Sequence, residues 1–543
     1  MKKITFVYLA LIPFFFTVAK AQTTGQNIII GDEIKQSFKN GFYDLDILTD
    51  DGEYFYALEI PFNAAYSMSI GGSKNYAIAK YRLEGLNPVN SVPLDLSFEG
   101  KDRKFEFIAV LGDDIYLFTS FQNQDQEKTY LFVETIDKNS LKASNSLKKI
   151  AEIDYADQNR YRLSKFEHSI SEDESKIMIR YNLMDKDNSI INGGFKIFDS
   201  NLKELLKYEE PLPLKEDAIF SFSGYELLNN GEVIILGKYF DDKKSLRNST
   251  KMKKKYFLFG PRVSRRYPNY HYQVYHINSR NQLLGYSFDD LDHYITNLII
   301  GSSPENRIIA AGLYSDFGNM NVKGTFTCEL DIRDNKMTNI QFNKLDFSYL
   351  TKGMSEKEGS KLNKLYQSKK EYSTNFYALE DLIFYEDGSY ALLAEPFYSD
   401  YVVRGNQQTG FYTVYRYQFK NIWVLKHDES GELDWKSKVI KRQYVENEAI
   451  KYASYGVNSF DGNIQFTYNV TRPGIFSKYG NPKKASLHRT IINDQGELST
   501  KMILQDQRDT YPFLNANSTE LRSGGVLMFS SRGRNYKFLR IKN

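Results

Sequence analysis

Eight times along the chain a short polar turn is followed by an apolar run rich in strand-forming residues. The eight turns are Asp51-Gly52, Asp113-Asp114, Asp173-Glu174, Asn230-Gly231, Glu305-Asn306, Asp387-Gly388, Asp461-Gly462 and Gly524-Gly525. From the first of these turns to the last, the seven steps average roughly 67 residues. That spacing suits a four-stranded blade with some long loops, so the repeat predicts an all-β propeller.

A second pattern follows the turn signals about 25 to 45 residues later. It consists of an alternating strand, a polar turn and another strand, as in YLFVETIDKNSLKAS and NIWVLKHDESGELDW. Such alternation predicts a β-hairpin, because Asp, Asn, Gly and Ser accept the backbone conformations of tight turns. Each repeat therefore offers an inner hairpin and an outer hairpin.

The second pattern is complete only seven times, because after the eighth turn the chain makes one more strand, Tyr536 to Ile541, and ends. The missing outermost strand is available in Asn27 to Phe38, and its addition would remove the open edge of the ring. We therefore predict eight four-stranded blades closed by an N-terminal strand. Seven blades is the main alternative, since the third and fifth turns lack glycine. A pair of β-sandwiches fits the long, regular spacing less well.

The first residues have the pattern of a secretory signal peptide. Lys2 and Lys3 precede an apolar core, Ile4 to Val18, and Ala19-Lys20-Ala21 supplies a small-x-small cleavage site. The core is shorter than the roughly 20 apolar residues that span a membrane. We predict a signal peptide at 1–21 and an exported mature chain in the periplasm or at the cell surface.

The mature chain, residues 22–543, is predicted to be a single propeller domain without a transmembrane segment. Its only cysteine, Cys328, excludes an intramolecular disulfide, and its place in an alternating run suits a buried thiol. The formal charge of +3 is carried by the three lysines of the signal, which leaves the mature chain neutral. A neutral balance gives no argument for a nucleic-acid partner.

Three steps of the repeat are longer than the rest, with extra residues near 243–272, 351–376 and 396–418. The first insertion interleaves cations with aromatic rings, a pattern that can hold an anionic polymer. Its candidate binding residues are Lys253, Lys254, Lys255, Tyr256, Phe259, Arg262, Arg265 and Arg266. In an exported protein the ligand would be an acidic glycan or lipopolysaccharide. The alternative is a solvated hairpin whose rings pack on the blade.

The second insertion is predicted to be a short surface helix. Ser355 can cap it together with Glu358, and Leu362, Leu365 and Tyr366 share one face. Such a helix covers a blade edge or docks a partner.

The third insertion is dense in tyrosine and carries only three charged side chains. Its candidate binding residues are Tyr398, Tyr401 and Tyr412. An aromatic hairpin that stands off the propeller is suited to recognise sugar or protein. The alternative is a hairpin that folds back over the neighbouring blade.

Few residues have the spacing of a catalytic or metal site. The six histidines form no metal-binding pair, and phosphate loops, nucleophile elbows and sialidase boxes are absent from the sequence. We therefore predict no cofactor. The densest acidic cluster, Asp289, Asp290 and Asp292, suits calcium or a polar loop between blades, and the sequence leaves both open.

The last third of the chain resembles a recurring pattern in exported proteins of Bacteroidota-type Gram-negative bacteria. The pattern has an acidic residue after the inner strand, here Glu395, then an aromatic strand, a D-x-x-G turn and a Lys-x-Gln end, here Lys441 and Gln443. The resemblance implies an exported β-propeller-like protein and brings no particular reaction with it.

These features together predict a non-enzymatic binding or scaffold propeller of the cell envelope. It would recognise an envelope protein or a glycan through its basic-aromatic loops. The competing class is a carbohydrate-active enzyme, a glycoside hydrolase or polysaccharide lyase, with its site in the central channel. An enzyme needs at least two converging carboxylates or an acid and a base, whereas a scaffold needs exposed aromatic or basic surface.

Overall fold

The computed structural model describes most of the chain between residues 22 and 542. The described ranges are 22–23, 27–36, 41–61, 75–98, 100–154, 166–184, 190–247, 250–255, 263–289, 291–316, 321–367, 376–406, 410–470, 485–505, 513–532 and 534–542. The predicted signal peptide lies outside these ranges.

Eight antiparallel sheets, each with a four-stranded core, form the blades of a propeller. The strands of each blade are named A to D from the inside outwards. In blade 1 they are Asp44–Asp50, Tyr54–Ile60, Ala77–Arg82 and Asn87–Pro93, and in blade 2 they are Lys104–Leu111, Asp114–Asn123, Lys128–Ile136 and Lys148–Asp154. In blade 3 they are Phe166–Ile170, Lys176–Met184, Ile190–Asp199 and Glu204–Tyr208, and in blade 4 they are Ile219–Leu227, Val233–Phe240, His271–Ile277 and Leu283–Ser287.

Blades 5 to 8 repeat the same order. In blade 5 the strands are Tyr294–Ser302, Ile308–Ser315, Gly324–Asp331 and Lys336–Lys344, and in blade 6 they are Phe376–Phe384, Tyr390–Asn406, Ile422–His427 and Leu433–Val439. In blade 7 they are Gly456–Phe460, Asn463–Val470, Ser486–Ile492 and Leu498–Leu504. In blade 8 strands A to C are Leu514–Glu520, Val526–Arg532 and Asn535–Ile541, and the N-terminal segment supplies strand D. The A strands of most neighbouring blades contact one another, and a hydrophobic cluster that contains Ile383 and Phe466 joins blades 6 and 7. The prediction of eight blades is confirmed.

The A–B turns show why the repeat survives where a turn has no glycine: the second turn has Gly112 directly before Asp113, and the third and fifth turns have none nearby. Gly52 and Gly388 adopt φ values of 87° and 80°, which glycine reaches at no steric cost. In the third and fifth turns Glu174 and Asn306 adopt φ values of 54° and 61° instead. Single residues can occupy this left-handed region, so these turns do not reduce the blade count to seven.

The last blade is closed by the N-terminal segment, as predicted. Ile28–Ile30 pairs antiparallel with Asn535–Ile541, and Ile34–Lys35 pairs with the beginning of the same strand. A two-residue strand, Gln22–Thr23, adds to the outside of Ile28–Ile30. The predicted closing strand is therefore two short strands, and residues 37 and 38 at its end lie outside the described ranges.

Each blade is held to its neighbours mainly by buried apolar and aromatic side chains. At the junction of blades 8 and 1, the ring of Phe55 stacks on that of Tyr81 with centroids 4.8 Å apart. Phe538 meets Phe55 edge-on at 4.9 Å. Cys328 is buried, as expected, and burial raises the pKa of its thiol.

The remaining elements lie in the connections between strands. They are the helices Lys243–Arg247, Phe347–Thr351 and Glu356–Gln367, the 3-10 helix Asn447–Tyr452, and the strands Ser97–Phe98, Lys101–Asp102, Thr250–Lys255, Val263–Pro268, Gly410–Phe419 and Gln443–Glu446. Within the described ranges, no helix is long and apolar enough to cross a membrane.

The predicted helix in the second insertion is present with its capping box. The Ser355 hydroxyl donates to Glu358 Oε2 at 2.8 Å, and the Ser355 backbone N–H donates to the same oxygen at 3.0 Å. Arg442 also donates to this oxygen at 3.0 Å, which ties the helix to the end of blade 6. The side chains of Leu365 and Tyr366 lie outside the described part of the structure.

Candidate functional site

The basic-aromatic insertion forms a hairpin between strands B and C of blade 4. Its strands, Thr250–Lys255 and Val263–Pro268, pair so that Lys253 lies opposite Arg265 and Met252 opposite Arg266. Three of the candidate residues, Tyr256, Phe259 and Arg262, lie outside the described residues. For the other five the structure describes the backbone and not the side chain; these are Lys253, Lys254, Lys255, Arg265 and Arg266. The anionic-polymer site therefore stays a prediction.

The third insertion forms a hairpin that extends blade 6. Strand B of this blade runs for 17 residues, Tyr390–Asn406, and only its first part pairs with blade strands A and C. Its second part pairs with Gly410–Phe419, which in turn pairs with Gln443–Glu446. We call the paired segments 398–406 and 410–419 the aromatic hairpin.

One face of the aromatic hairpin presents large side chains to solvent. Tyr401 lies opposite Tyr415, with ring centroids 6.4 Å apart and ring planes inclined at 55°. Tyr401 is 67% exposed, Tyr415 53% and the next residue on this face, Val403, 60%. We call these three residues the aromatic face.

The opposite face is held by ion pairs. Arg416 Nε donates to Asp400 Oδ1 at 2.7 Å, and Arg404 contacts both carboxylate oxygens of Glu446 at 2.7 and 3.0 Å. Val414, on the same face, is buried. The charged side chains of the hairpin thus fix its conformation and leave the aromatic face uncharged.

The predicted tyrosines are divided between these environments. Tyr401 lies on the aromatic face, Tyr412 lies opposite Arg404 and is 57% exposed, and Tyr398 is half-buried. Sequence reasoning missed Val403 and Tyr415. Strict alternation from Tyr401 would have selected Val403, whereas Tyr415 required the register across the turn.

The three residues of the pattern in the last third of the chain, Glu395, Lys441 and Gln443, meet at the base of the aromatic hairpin. Glu395 and Lys441 form an ion pair with both side chains fully buried, and Lys441 Nζ also donates to Gln443 Oε1 at 2.9 Å. The Ser454 hydroxyl donates to Glu395 Oε2 at 2.7 Å. Burial lowers the pKa of Lys441, while the charge of Glu395 opposes that shift.

This buried network continues into the next two blades. Gln443 Nε2 donates to the backbone oxygen of Asn469 at 2.7 Å, and Asn469 Nδ2 donates to that of Phe513 at 2.8 Å. Asn469 belongs to strand B of blade 7, and Phe513 precedes strand A of blade 8. The pattern residues therefore connect three blades and hold the hairpin base, which is a structural role.

Carboxyl groups from distant parts of the chain meet on the inner strands of blades 3 to 6. Glu226 and Asp381 line one cavity of about 370 Å³ beside Tyr225. The Ser302 hydroxyl donates to Glu226 Oε1 at 2.8 Å. Burial raises the pKa of Glu226 and that of Asp381, and the nearby charges of Glu172 and Asp381 raise that of Glu226 further.

The sequence analysis did not identify Glu226 or Asp381 as site residues. Strand A of blade 6 contains a β-bulge between Leu379 and Asp381, which breaks the alternation from which a residue's side of the strand is predicted. Their meeting also depends on the closure of the ring. The only available signal was the presence of charged residues within a predicted inner strand.

The acidic cluster considered for calcium lies between blades 4 and 5. Asp289 accepts a hydrogen bond of 2.7 Å from the Ser287 hydroxyl, while Asp290 lies outside the described residues. In the described part of the chain, no three His, Cys, Asp or Glu side chains form a group that could hold a metal ion. Whether Asp289, Asp290 and Asp292 bind calcium therefore stays open.

Comparisons with known proteins concern the fold alone. No family model and no curated protein matches the chain. A quinohemoprotein alcohol dehydrogenase of Pseudomonas putida HK5 is similar over 95% of this chain and 76% of its own, at 9% identity and a TM-score of 0.40. The β-propeller domain of the trilobed protease of Pyrococcus furiosus is similar over 85% and 97%, at 9% and 0.31. A protein of unknown function from Bacteroides caccae is similar over 67% and 91%, at 11% and 0.25.

The variant Glu226→Gln should raise the midpoint of urea unfolding at pH 7.5 and leave it unchanged near pH 4. A carboxyl group whose pKa is raised in the folded state costs stability above that pKa. The cost disappears below the unfolded value of about 4.3. The amide avoids the cost and still accepts the Ser302 hydrogen bond.

A second Glu→Gln change supplies the control for this measurement. Glu134 forms a buried ion pair with Arg103 at 2.7 Å, so Glu134→Gln should lower the midpoint at pH 7.5. A lowered midpoint for Glu226→Gln at pH 7.5 would contradict the raised pKa of Glu226.

Proposed function

We propose that this protein is an exported, non-enzymatic binding propeller of the cell envelope that holds a protein partner on its aromatic face. The observation that supports the proposal is the exposure of Tyr401, Val403 and Tyr415 on one side of a rigidly held hairpin. Large aromatic side chains are enriched at the centres of protein interfaces and charged residues are depleted there. The aromatic face has both properties.

The hairpin is also organised before a partner arrives. Its other face is fixed by the pairs Asp400–Arg416 and Arg404–Glu446, and its base rests on the buried Glu395–Lys441 pair. A preorganised surface loses less conformational entropy on binding, and tyrosine offers a large contact area with few rotatable bonds. These features favour a specific interface.

A protein fits this face better than a glycan does. The rings of Tyr401 and Tyr415 are inclined at 55° and do not form a flat platform for a sugar. The third side chain, Val403, is aliphatic, and the hairpin's cations are engaged in ion pairs. An acidic glycan is a better candidate for the separate basic hairpin of blade 4.

The partner can be trapped with the photoreactive residue p-benzoylphenylalanine at position 401 of the mature chain. The same residue at position 498, an exposed site on strand D of blade 7, supplies the control. We expect a protein adduct from position 401 alone. Mass spectrometry would identify the adduct, and the partner would then be purified for titration.

In that titration Tyr401→Ser together with Tyr415→Ser should weaken binding by at least 30-fold. Loss of one interfacial hot-spot residue costs about 2 kcal/mol or more, which corresponds to about 30-fold in affinity. The matched variant Leu498→Ser with Met502→Ser removes exposed apolar side chains elsewhere and should bind normally.

Three results would overturn the proposal that the aromatic face holds a different protein. Equal affinities of the two double variants would place the interface elsewhere. An adduct of twice the chain's mass would identify a second copy of the protein. An adduct that periodate cleaves and protease leaves intact would identify a glycan.

A further inference from the structure

The cavity beside Glu226 and Asp381 has the size and lining of a small-molecule site. It lies between the A strands of blades 4, 5 and 6 and measures about 370 Å³. Leu298, Ile300 and Leu379 contribute apolar wall to it. Ligand sites typically measure about 300 to 1,000 Å³ and combine apolar walls with a few polar groups.

A glycine keeps part of this cavity open. Gly224 lines it, and a Cβ atom added there would have no heavy atom within 4 Å. Other strand glycines lie where a side chain cannot fit: a Cβ at Gly312 would come within 2.0 Å of a backbone oxygen. Packing therefore explains Gly312. Gly224 lies at the β-bulge that follows Phe222, and glycine within a strand marks a bulge or the close approach of a ligand.

The cavity's negative charge is not balanced by the described residues around it. Glu226, Asp381 and Glu172 interact electrostatically with one another, and desolvation by the surrounding strands raises the pKa of each, although the side chains of Asp381 and Glu172 keep solvent contact. In the described ranges, no Lys, Arg or His side chain lies within ion-pair distance of these three groups. Arg180 lies 4.9 Å from the centre of the Tyr225 ring but pairs with Glu167.

We propose that the cavity binds an aliphatic amine whose ammonium group pairs with Glu226 and Asp381. The hydrocarbon chain of the amine would lie on Leu298, Ile300 and Leu379, and a second ammonium group would reach Glu172. A cation of this kind relieves the repulsion among the carboxylates and buries apolar surface at the same time. The described side chains do not form a metal site, which favours an organic cation.

The test is calorimetric titration of the mature chain with 1,6-diaminohexane, hexylamine and 1-hexanol at pH 7.5. We expect affinity to fall in that order, with hexylamine at least 10-fold tighter than the uncharged alcohol. Asp381→Asn should weaken hexylamine binding at least 10-fold. Gly224→Leu should do the same by filling the cavity, with an unchanged melting transition showing that the variant is folded.

A carboxyl group on another inner strand supplies the control. Asp46→Asn removes a charge from strand A of blade 1, outside the cavity, and should leave the affinity unchanged. Equal binding of hexylamine and 1-hexanol would overturn the proposal, as would the absence of amine binding. An equal loss in Asp46→Asn, or displacement of hexylamine by a neutral disaccharide such as maltose, would overturn it too.

Discussion

Lys441→Met should lower the free energy of unfolding by about 3 to 5 kcal/mol, the usual cost of removing one partner of a buried ion pair. The substitution leaves the carboxylate of Glu395 in a site without solvent contact, with the Ser454 hydroxyl as the one donor that remains among the described residues. Gln443 loses its bond from Lys441 at the same time. Urea unfolding at pH 7.5 measures the effect.

The double variant Glu395→Leu with Lys441→Met is the matched control. Replacing both charges by apolar groups of similar size leaves no uncompensated charge and is often close to neutral. The double variant should therefore be more stable than Lys441→Met alone. If it is less stable, or if the single variant costs under 1 kcal/mol, the ion pair does not support the base of the hairpin as inferred.

Deleting residues 22–36 should destabilise the ring by more than about 3 kcal/mol and make the protein aggregate. Ile28, Ile30 and Ile34 would lose their partly buried positions, and each such side chain contributes about 1 kcal/mol or more. The strand Asn535–Ile541 would also become an open edge that can pair with other chains. Thermal unfolding and light scattering measure the two effects.

A peptide of residues 27–36, added in excess, tests whether pairing is the cause. It should restore the unfolding midpoint of the truncated chain and reduce scattering, because it can occupy the empty strand position. The same peptide with Ile28, Ile29 and Ile30 replaced by Ser should not. Rescue by both peptides, or by neither, would show that the deletion acts in another way.

The eight-bladed architecture could be predicted from the sequence because it depends on the residue types found in local turns and strands. Tight turns need residues that accept positive φ, so the eight turn signals were visible, and residues such as Glu174 and Asn306 show that glycine is not the only solution. The closing strand was predictable from an incomplete repeat at the other end of the chain. These inferences require only neighbours in sequence or a count of repeats.

The site required information that local patterns do not contain. Tyr415 joins Tyr401 through a register that depends on where the turn of the hairpin falls. Glu226 and Asp381 meet because different blades are placed side by side by ring closure. Glu395 and Lys441 were noticed as parts of a pattern, but nothing in the sequence showed that they pair in the interior.

Ring closure also sets the order in which the protein can fold. Asn535 donates a hydrogen bond to Glu33, 502 positions earlier in the chain, so the eighth sheet forms only when both ends are present. The entropic cost of joining ends so far apart in an unfolded chain is about 5 kcal/mol or more, which the folding of the intervening blades reduces. The isoleucine-rich segment Ile28–Ile30 is synthesised long before Asn535–Ile541, the strand with which it pairs. A chaperone that shields Ile28–Ile30 during this interval would raise the yield of folded protein without changing its final stability.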